Sequence, residues 1–515
     1  MLRKVKPLRF IKNPLALSML SAAILTLPFL NGHLGIVAWF GFLPLFYALE
    51  KRTKSGAFLL SFLSGFVFWL VTIYWLVHVT LIGMVILSLY LAIYFGIFGF
   101  IFSAYQLRAR SYELLFFIPA IWVVLEYIRG YLLTGFPWAL LGYSQYLYLP
   151  FIQIADITGA WGVSFLVMTV NVAVYIIIRQ KQQVRSIPFF YQISAVLVLL
   201  VSLGYGLYKL QITHDRQRRT LKISVIQGNI PQELKWDIRA RDFIINKFFY
   251  LSEQAIKDRP DLIIWPESAL PCILEEEPSY FEKIRSFTDK TKIPLLLGAV
   301  TKREDSYYNN ALFVSGEGQM LDRYAKLHLV PFGEYIPLRK TLRFLETIVP
   351  IGDFTAGKKY TVFQMPRLSG LPAGKSQDSF AVLICFEDLF PELSRQFVIE
   401  KADFLVNITN DAWFGKTTSP YQHLQASVFR AVENRVFLAR CANTGVSGFI
   451  APSGKIISLV HDEAGREIFI DGYRTAEFSI TKQGLTFYTR YGDFFVVCCF
   501  LWGLYGIISP FKKER

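Results

Sequence analysis

FAVLICFEDLF, residues 380–390, is an apolar run that ends in a cysteine and passes at once into two acids, Glu387 and Asp388. The uncharged stretch up to Ile384 reads as a buried strand. Such strand ends project side chains into the clefts of α/β folds. A cysteine inside a core strand is the ordinary alternative, but the acids that follow argue for a polar site at Cys385 rather than continued core.

Working outward, DLIIWPE (261–267) repeats the plan: an apolar strand, Trp265-Pro266, then the carboxylate of Glu267. In RYAKLHLVPFGEY (323–335), charged residues interrupt apolar ones around Lys326, His328 and Glu334, as a surface strand also would. Further short apolar runs are KISVIQ (222–227), IPLLLGAV (293–300), ALFVSG (311–316), DFLVNITN (403–410) and FLARCANTG (437–445). Helical stretches are expected at 239–257, 279–290, 391–401 and 420–435. Strands alternating with helices of this length predict a layered α/β domain. Between Pro337 and Gly374 the pattern loosens around ETIVPIGDFTAG (346–357), and a lid is expected near 340–365, either touching lipid or tucked onto the domain's own core.

On both sides of this region the texture is different. Over the whole 515 residues, 53% are hydrophobic and mean hydropathy is +0.37, well above a soluble enzyme. Long uncharged blocks predict eight membrane spans near 13–30, 34–49, 57–77, 82–106, 114–134, 158–178, 187–209 and 491–510. The expected organisation is a transmembrane domain over 1–210, a water-soluble catalytic domain over 211–488, and a last helix with a tail over 489–515.

Basic residues test the span count, because short cytoplasmic loops collect Lys and Arg. One side receives Arg3, Lys4, Lys6, Arg9 and Lys12, then Lys51, Arg52 and Lys54, then Arg108 and Arg110, then Arg179, Lys181 and Arg185, and finally Lys512, Lys513 and Arg515. The opposite short loops, including Thr134 to Thr158, carry none. Both termini are therefore expected in the cytoplasm and the large domain outside. The first helix leads straight into a second without an A-x-A-like cleavage site, so it reads as retained.

The same charge map accounts for much of the formal +15, so nucleic-acid binding is not implied. Five cysteines are too few for a disulfide scaffold, and Cys498 and Cys499 lie inside the last span. Cys272, Cys385 and Cys441 remain, an odd number that leaves at least one free or paired outside the chain. Glu126 and Arg129 share a helical face within the fifth span, where charges are paired or functional. A structural pair is expected, with lipid-headgroup contact as the sharper alternative. There is no metal-ligand spacing, P-loop or dinucleotide fingerprint, so no cofactor and no metal is expected.

Taken together, Glu267, Lys326 and Cys385 resemble the Glu-Lys-Cys set of the nitrilase superfamily, in which a Glu near W-P-E, a Lys in Y-x-K-x-H-L and a Cys in C-[YF]-[ED] act together. FPWALLGYSQ (136–145), QGNIPQELKWD (227–237), HLVPFGEYIP (328–337) and NITNDAWFG (407–415) extend the likeness. With the helices, the whole chain resembles the apolipoprotein N-acyltransferase family.

That resemblance implies a nitrilase-like α-β-β-α sandwich joined to a polytopic helical bundle, in the bacterial inner membrane with the catalytic domain on the periplasmic side. It implies transfer of an acyl chain from a glycerophospholipid, through a cysteine thioester, to the α-amino group of a diacylglyceryl-modified apolipoprotein. Cys385 would be the nucleophile, Glu267 the proton carrier and Lys326 the oxyanion partner. The backbone N–H of Phe386 would be a second oxyanion donor; the family often has Tyr at that position. Glu334 and Glu387 are expected to orient Lys326 or the thiol. Trp236 and Trp413 are expected at the acyl-chain entrance, and Asn309 and Tyr307 at polar groups of the substrate. His328 reads as a packing or supporting residue, and a monomer is the default. A membrane-anchored amidase with the same triad is the alternative enzyme; seven helices ahead of the domain argue against it, since one anchors. A catalytically dead lipid-binding module is disfavoured by the presence of all three residue types.

Overall fold

The computed structural model describes residues 13–106, 113–183, 189–212, 219–335, 354–366, 378–480 and 484–508. The chain divides into two units, Met1–Gln211 with Asp493–Arg515, and Ile212–Gly492.

The first unit is helical. Asn13 accepts from the Leu15 and Ala16 N–H groups and so starts the helix Pro14–Leu30; Thr53 does the same for Lys54–Thr72 through Gly56. Leu81–Gln106, Leu114–Tyr131, Ala160–Gln183, Phe189–Ile212 and Phe494–Ile508 follow. Among the described residues, six helices are long and apolar enough to cross a membrane. The expected second span is not one α-helix: Gly32–Phe40 is 3-10, and Leu43–Leu49 is α-helical.

The segment after the helix Leu114–Tyr131 is more ordered than its loop-like reading. It folds into the short turns Leu141–Gln145, Leu149–Ile152 and Ala155–Thr158. Two buried charges hold it. Arg129 Nη1 donates to the carbonyls of Phe136 and Trp138 at 2.7 and 2.9 Å, and Glu126 Oε1 accepts the Leu141 N–H at 2.7 Å. These contacts favour the structural reading of Glu126 and Arg129, with both groups spent on backbone that would otherwise lack partners in an apolar setting.

The second unit is built on two six-stranded sheets. The first has the order β12-β1-β2-β3-β4-β5, from Arg219–Gln227 (β1), Leu262–Ile264 (β2), Leu295–Arg303 (β3), Ser306–Val314 (β4), Met320–Ala325 (β5) and Gly472–Ile480 (β12). The second has the order β11-β10-β9-β8-β7-β6, from Val362–Gln364 (β6), Ser379–Ile384 (β7), Phe404–Thr409 (β8), Phe437–Ala442 (β9), Gly448–Ile450 (β10) and Ile456–Leu459 (β11). In each sheet the three central strands, β1-β2-β3 and β7-β8-β9, are parallel, and the flanking pairs are antiparallel.

Parallel strands need both faces covered, and the burial pattern agrees: every residue of β2, β7 and β8 is buried. Helices Arg241–Ile256 and Pro278–Thr291 give Ile244, Ile245, Phe248, Leu251 and Ile284 to one core with Ile263, Leu295, Leu297 and Leu312. Helices Pro391–Ile399 and Ser419–Asn434 pack on the other sheet. Cys441 on β9 donates its thiol to the carbonyls of Ile226 and Ile264 at 3.2 Å, joining the two sheets. The nitrilase-like layering is thus present.

The strands absent from the sequence reading are β5, β6, β10, β11 and β12. The first four residues of β5 are exposed, and β12 alternates polar with apolar residues on an edge of its sheet, so neither makes an apolar run. Of the expected lid, residues 340–353 lie outside the described residues. From Phe354 the chain passes into β6, which pairs with β7.

Candidate active site

Glu267 stands just beyond the carboxyl end of β2. Trp265, fully buried, fixes the turn by donating Nε1 to Ser252 Oγ at 2.8 Å and stacking on Phe248. The turn then presses on Gly298 of β3. A Cβ at that position would meet Ser268 N, Pro266 O and Glu267 Cα within 2.6 Å, so only glycine lets the acid approach the sheet this closely. Ser268 takes a left-handed φ of 50° to reverse the chain.

Lys326 follows β5 and is 1% exposed. Its Nζ lies 3.0 and 2.8 Å from the two oxygens of Glu334 and 3.6 Å from Glu267 Oε1. Asn309 on β4 ties the acids together, donating Nδ2 to Glu267 Oε1 at 2.8 Å and to Glu334 Oε1 at 2.9 Å. Burial opposes the charge on Lys326, but the carboxylates of Glu334 and Glu267 outweigh it and hold the ammonium above its usual range. The group stays cationic.

Cys385 is the first residue after β7 and has φ of 53°. A left-handed non-glycine residue is strained and must be held by its surroundings. Its carbonyl accepts from Asn407 Nδ2 at 3.2 Å and from His423 Nε2 at 3.3 Å. Behind that carbonyl lies a buried charge cluster. His423 meets Asp388 Oδ1 at 2.7 Å through Nε2 and Asp411 Oδ1 at 3.2 Å through Nδ1. Ionised carboxylates only accept, so both ring nitrogens donate and the ring is an imidazolium. Arg440 completes the balance, reaching Asp388, Asp411 and Asn407; Ser427 donates to Asp388. Burial and Arg440 pull the His423 pKa down, yet the two carboxylates raise it on balance.

The thiol itself is pushed up, first by burial and then by the Glu267 charge, against the lowering effect of Lys326. At rest it is protonated, so attack requires handing the proton to a neighbour. Of the carboxylates whose charge reaches it, Glu267 acts more strongly than Asp411, and the Lys326 ammonium opposes both.

Glu387 is fully buried and works through backbone. Its Oε1 accepts from Leu327 N, His328 N and the Tyr324 hydroxyl, and its Oε2 accepts from Ile384 N. It therefore clamps the residue beside Lys326 and the residue beside Cys385; burial raises its pKa to about 7. His328 packs against Phe390, with ring centroids 3.7 Å apart and the planes tilted by 33°, in keeping with a packing role. Tyr307 is half-buried near Lys302, whose Nζ lies 5.3 Å from its ring. Trp236 and Trp413 are each nearly half exposed.

Two functional groups escaped the sequence reading. Lys235, 4% exposed, donates Nζ to the Glu267 carbonyl at 2.9 Å. His423, in SPYQHLQ, supports the turn at Cys385. Lys235 sits inside QGNIPQELKWD, beside the more conspicuous Trp236; a lone His on a helix gives no periodic signal.

Fold and geometry define a class: residues 222–471 match the carbon-nitrogen hydrolase family, and residues 21–173 match the apolipoprotein N-acyltransferase N-terminal domain, so this is a membrane-bound member of the nitrilase superfamily. An apolipoprotein N-acyltransferase of Geobacter metallireducens is 38% identical over 504 residues, covering 94% of this chain and 92% of that protein. Another, of Vibrio vulnificus, is 31% identical over 474 residues, covering 87% and 89%. The chain belongs to the apolipoprotein N-acyltransferase family. Among solved structures, Saccharomyces cerevisiae Nit3 of the nitrilase superfamily aligns with a TM-score of 0.38 at 19% identity, covering 51% of this chain and 91% of that one.

Proposed function

We propose that this enzyme moves an acyl chain from a glycerophospholipid to the α-amino group of a diacylglyceryl-cysteine lipoprotein by a ping-pong route through Cys385. One observation carries the reading: a cationic Lys326 bracketed by Glu267 and Glu334, with a strained Cys385 in the field of both Lys326 and Glu267. Catalytic roles fall to Glu267, Lys326 and Cys385, supporting roles to Glu334 and Glu387, and substrate contacts to Trp236, Trp413, Asn309 and Tyr307.

In the first half, Sγ bonds to the ester carbonyl carbon as its proton passes to Glu267. The C–O bond then breaks, and Glu267 returns the proton to the lysophospholipid oxygen. In the second half the acceptor amine bonds to the thioester carbon and gives its proton to Glu267. The C–S bond breaks, and Glu267 passes its proton to Sγ to restore the thiol. In each tetrahedral intermediate the oxyanion faces Lys326 and the Phe386 N–H.

Hydropathy supports eight spans, over 1–210 and 489–515, and the placement of Lys and Arg supports cytoplasmic termini with the catalytic domain, 211–488, on the periplasmic side of the inner membrane; a monomer is the default. Both substrates are lipids, which gives the many spans a purpose that a simple anchor lacks. The test incubates purified full-length protein in phospholipid vesicles with a synthetic diacylglyceryl-cysteine peptide. The peptide should gain an amide-linked acyl group with release of lysophospholipid, and Cys385→Ala and Glu267→Ala should give none. Release of free fatty acid with no peptide product would favour the amidase-type reading, and full transfer by Cys385→Ala would overturn the assignment.

A further inference from the structure

Lys235 is built into the site yet under-used by the protein. Its loop is pinned by three hydrogen bonds at two residues: Ile230 N–H donates to Asn443 Oδ1 at 2.9 Å, Asn443 Nδ2 donates to the Ile230 carbonyl at 2.8 Å, and Asn410 Nδ2 donates to Gln232 Oε1 at 2.8 Å. The ammonium is therefore delivered to a fixed place beneath the surface. An ammonium carries three donors. Among the described residues it makes one hydrogen bond, to the Glu267 carbonyl, and no ion pair.

Lys326 is the contrast, with the oxygens of Glu334 at 3.0 and 2.8 Å and Glu267 at 3.6 Å. A buried charge left without acceptors is costly unless something arrives to meet it. Burial draws the Lys235 pKa down to about 8, against the opposing pull of Glu267 and Cys385. Those two charges reach Lys235, so it borders the reacting centre. Formally, Lys235 and Lys326 balance Glu267 and Glu334. Without Lys235 the cluster would be negative and would repel any anionic substrate.

The proposed donor brings two kinds of negative oxygen. The oxyanion is transient and has Lys326 and the Phe386 N–H to face. The phosphodiester is permanent and is present from the moment the lipid binds. A permanently under-used ammonium matches the permanent anion. Beside it, Trp236 and Ile238 are 46% and 71% exposed, apolar surface suited to the chains of the same molecule.

We propose that Lys235 binds the phosphodiester of the glycerophospholipid donor, so that the phosphate, and not the headgroup beyond it, is what the donor site recognises. The inference rests on the phospholipid-to-amine transfer proposed above. It makes Lys235 a substrate-binding residue that favours phosphodiester lipids over neutral esters.

The test compares phosphatidylglycerol with diacylglycerol as donor to the full-length protein in detergent micelles, reading acyl-Cys385 formation by mass spectrometry over a range of donor concentrations. Wild type should use the phospholipid with the higher kcat/KM. In Lys235→Met the phospholipid-to-diacylglycerol ratio of kcat/KM should fall at least tenfold, mainly through KM, and Lys235→Arg should keep most of the preference. A role confined to holding the Glu267 loop would lower both donors equally and leave the ratio unchanged. That result, or an unaltered Met variant, overturns the proposal. If wild type forms no Cys385 adduct with either lipid, the transfer reading itself fails and this inference falls with it.

Discussion

The carbonyl oxygen of Cys385 lies 3.3 Å from Nε2 of His423, a ring whose two nitrogens also face Asp388 and Asp411. The strained turn at Cys385 thus depends on a buried imidazolium. His423→Gln should lower both transfer and stability, the latter by about 3 kcal/mol, because it leaves two buried carboxylates short of a cation. The sign with pH is fixed by the raised folded-state pKa. The stabilisation is full below the unfolded value of about 6.5 and is lost as pH rises through the higher folded value. Denaturation of both proteins at a series of pH values should show the gap closing on the alkaline side; a gap that widens would contradict the imidazolium.

Lys326→Met should reduce transfer by about 10²–10³ through kcat, with donor KM little changed, since the ammonium acts on charge that appears only in the transition state. Glu334→Gln, which weakens one anchor of Lys326 at 2.8–3.0 Å, should cost roughly ten- to a hundredfold. Steady-state kinetics with a lipopeptide acceptor checks both. A purely KM effect in Lys326→Met would remove it from the oxyanion role.

Alkylation of Cys385 separates thiol ionisation from proton transfer. The Glu267 charge helps to hold the thiol protonated and Lys326 opposes it. Glu267→Gln should therefore shift the pH at which iodoacetamide labels Cys385 downward, while transfer falls by about 10²–10⁴ for want of a proton carrier. The buried Cys272 and Cys441 serve as internal references in the same peptide map. An upward shift, or none, would contradict the charge relationship.

Sidedness can be read from single introduced cysteines. A membrane-impermeant thiol reagent applied to cells with a permeabilised outer membrane should label a cysteine at the exposed Glu463 and spare one at the exposed Arg52 until the inner membrane is opened. The reverse pattern would invert the proposed topology.

Much of this site was legible because its anchors end apolar runs. Ile384 and Ile264 close strands whose every residue is buried, so Cys385 and the turn to Glu267 announce themselves by a change in polarity. Asn309 is expected from the sequence at polar groups of the substrate, but its bonds to Glu267 and Glu334 are hidden there, because it lies within β4 and they exist only once distant segments meet. His423 and Lys235 are hidden for the same reason, each a lone polar residue whose partners sit far away in sequence. The edge strand β12 escaped because its alternation of Tyr473, Arg474 and Glu477 with Ala476 and Phe478 is too polar to read as an apolar run. In the helical unit, hydropathy located Gly32–Leu49 correctly but had no means of showing that its first half is a 3-10 helix.

The central claim is that Cys385 carries the acyl group. Full-length protein incubated with phospholipid and no acceptor, then digested and analysed by mass spectrometry, should give a Cys385 peptide heavier by one acyl chain. The adduct should be lost on treatment with neutral hydroxylamine and on adding diacylglyceryl-cysteine peptide. An acyl group found on another residue, or transfer that proceeds fully with Cys385 unmodified at every time point, would contradict the account.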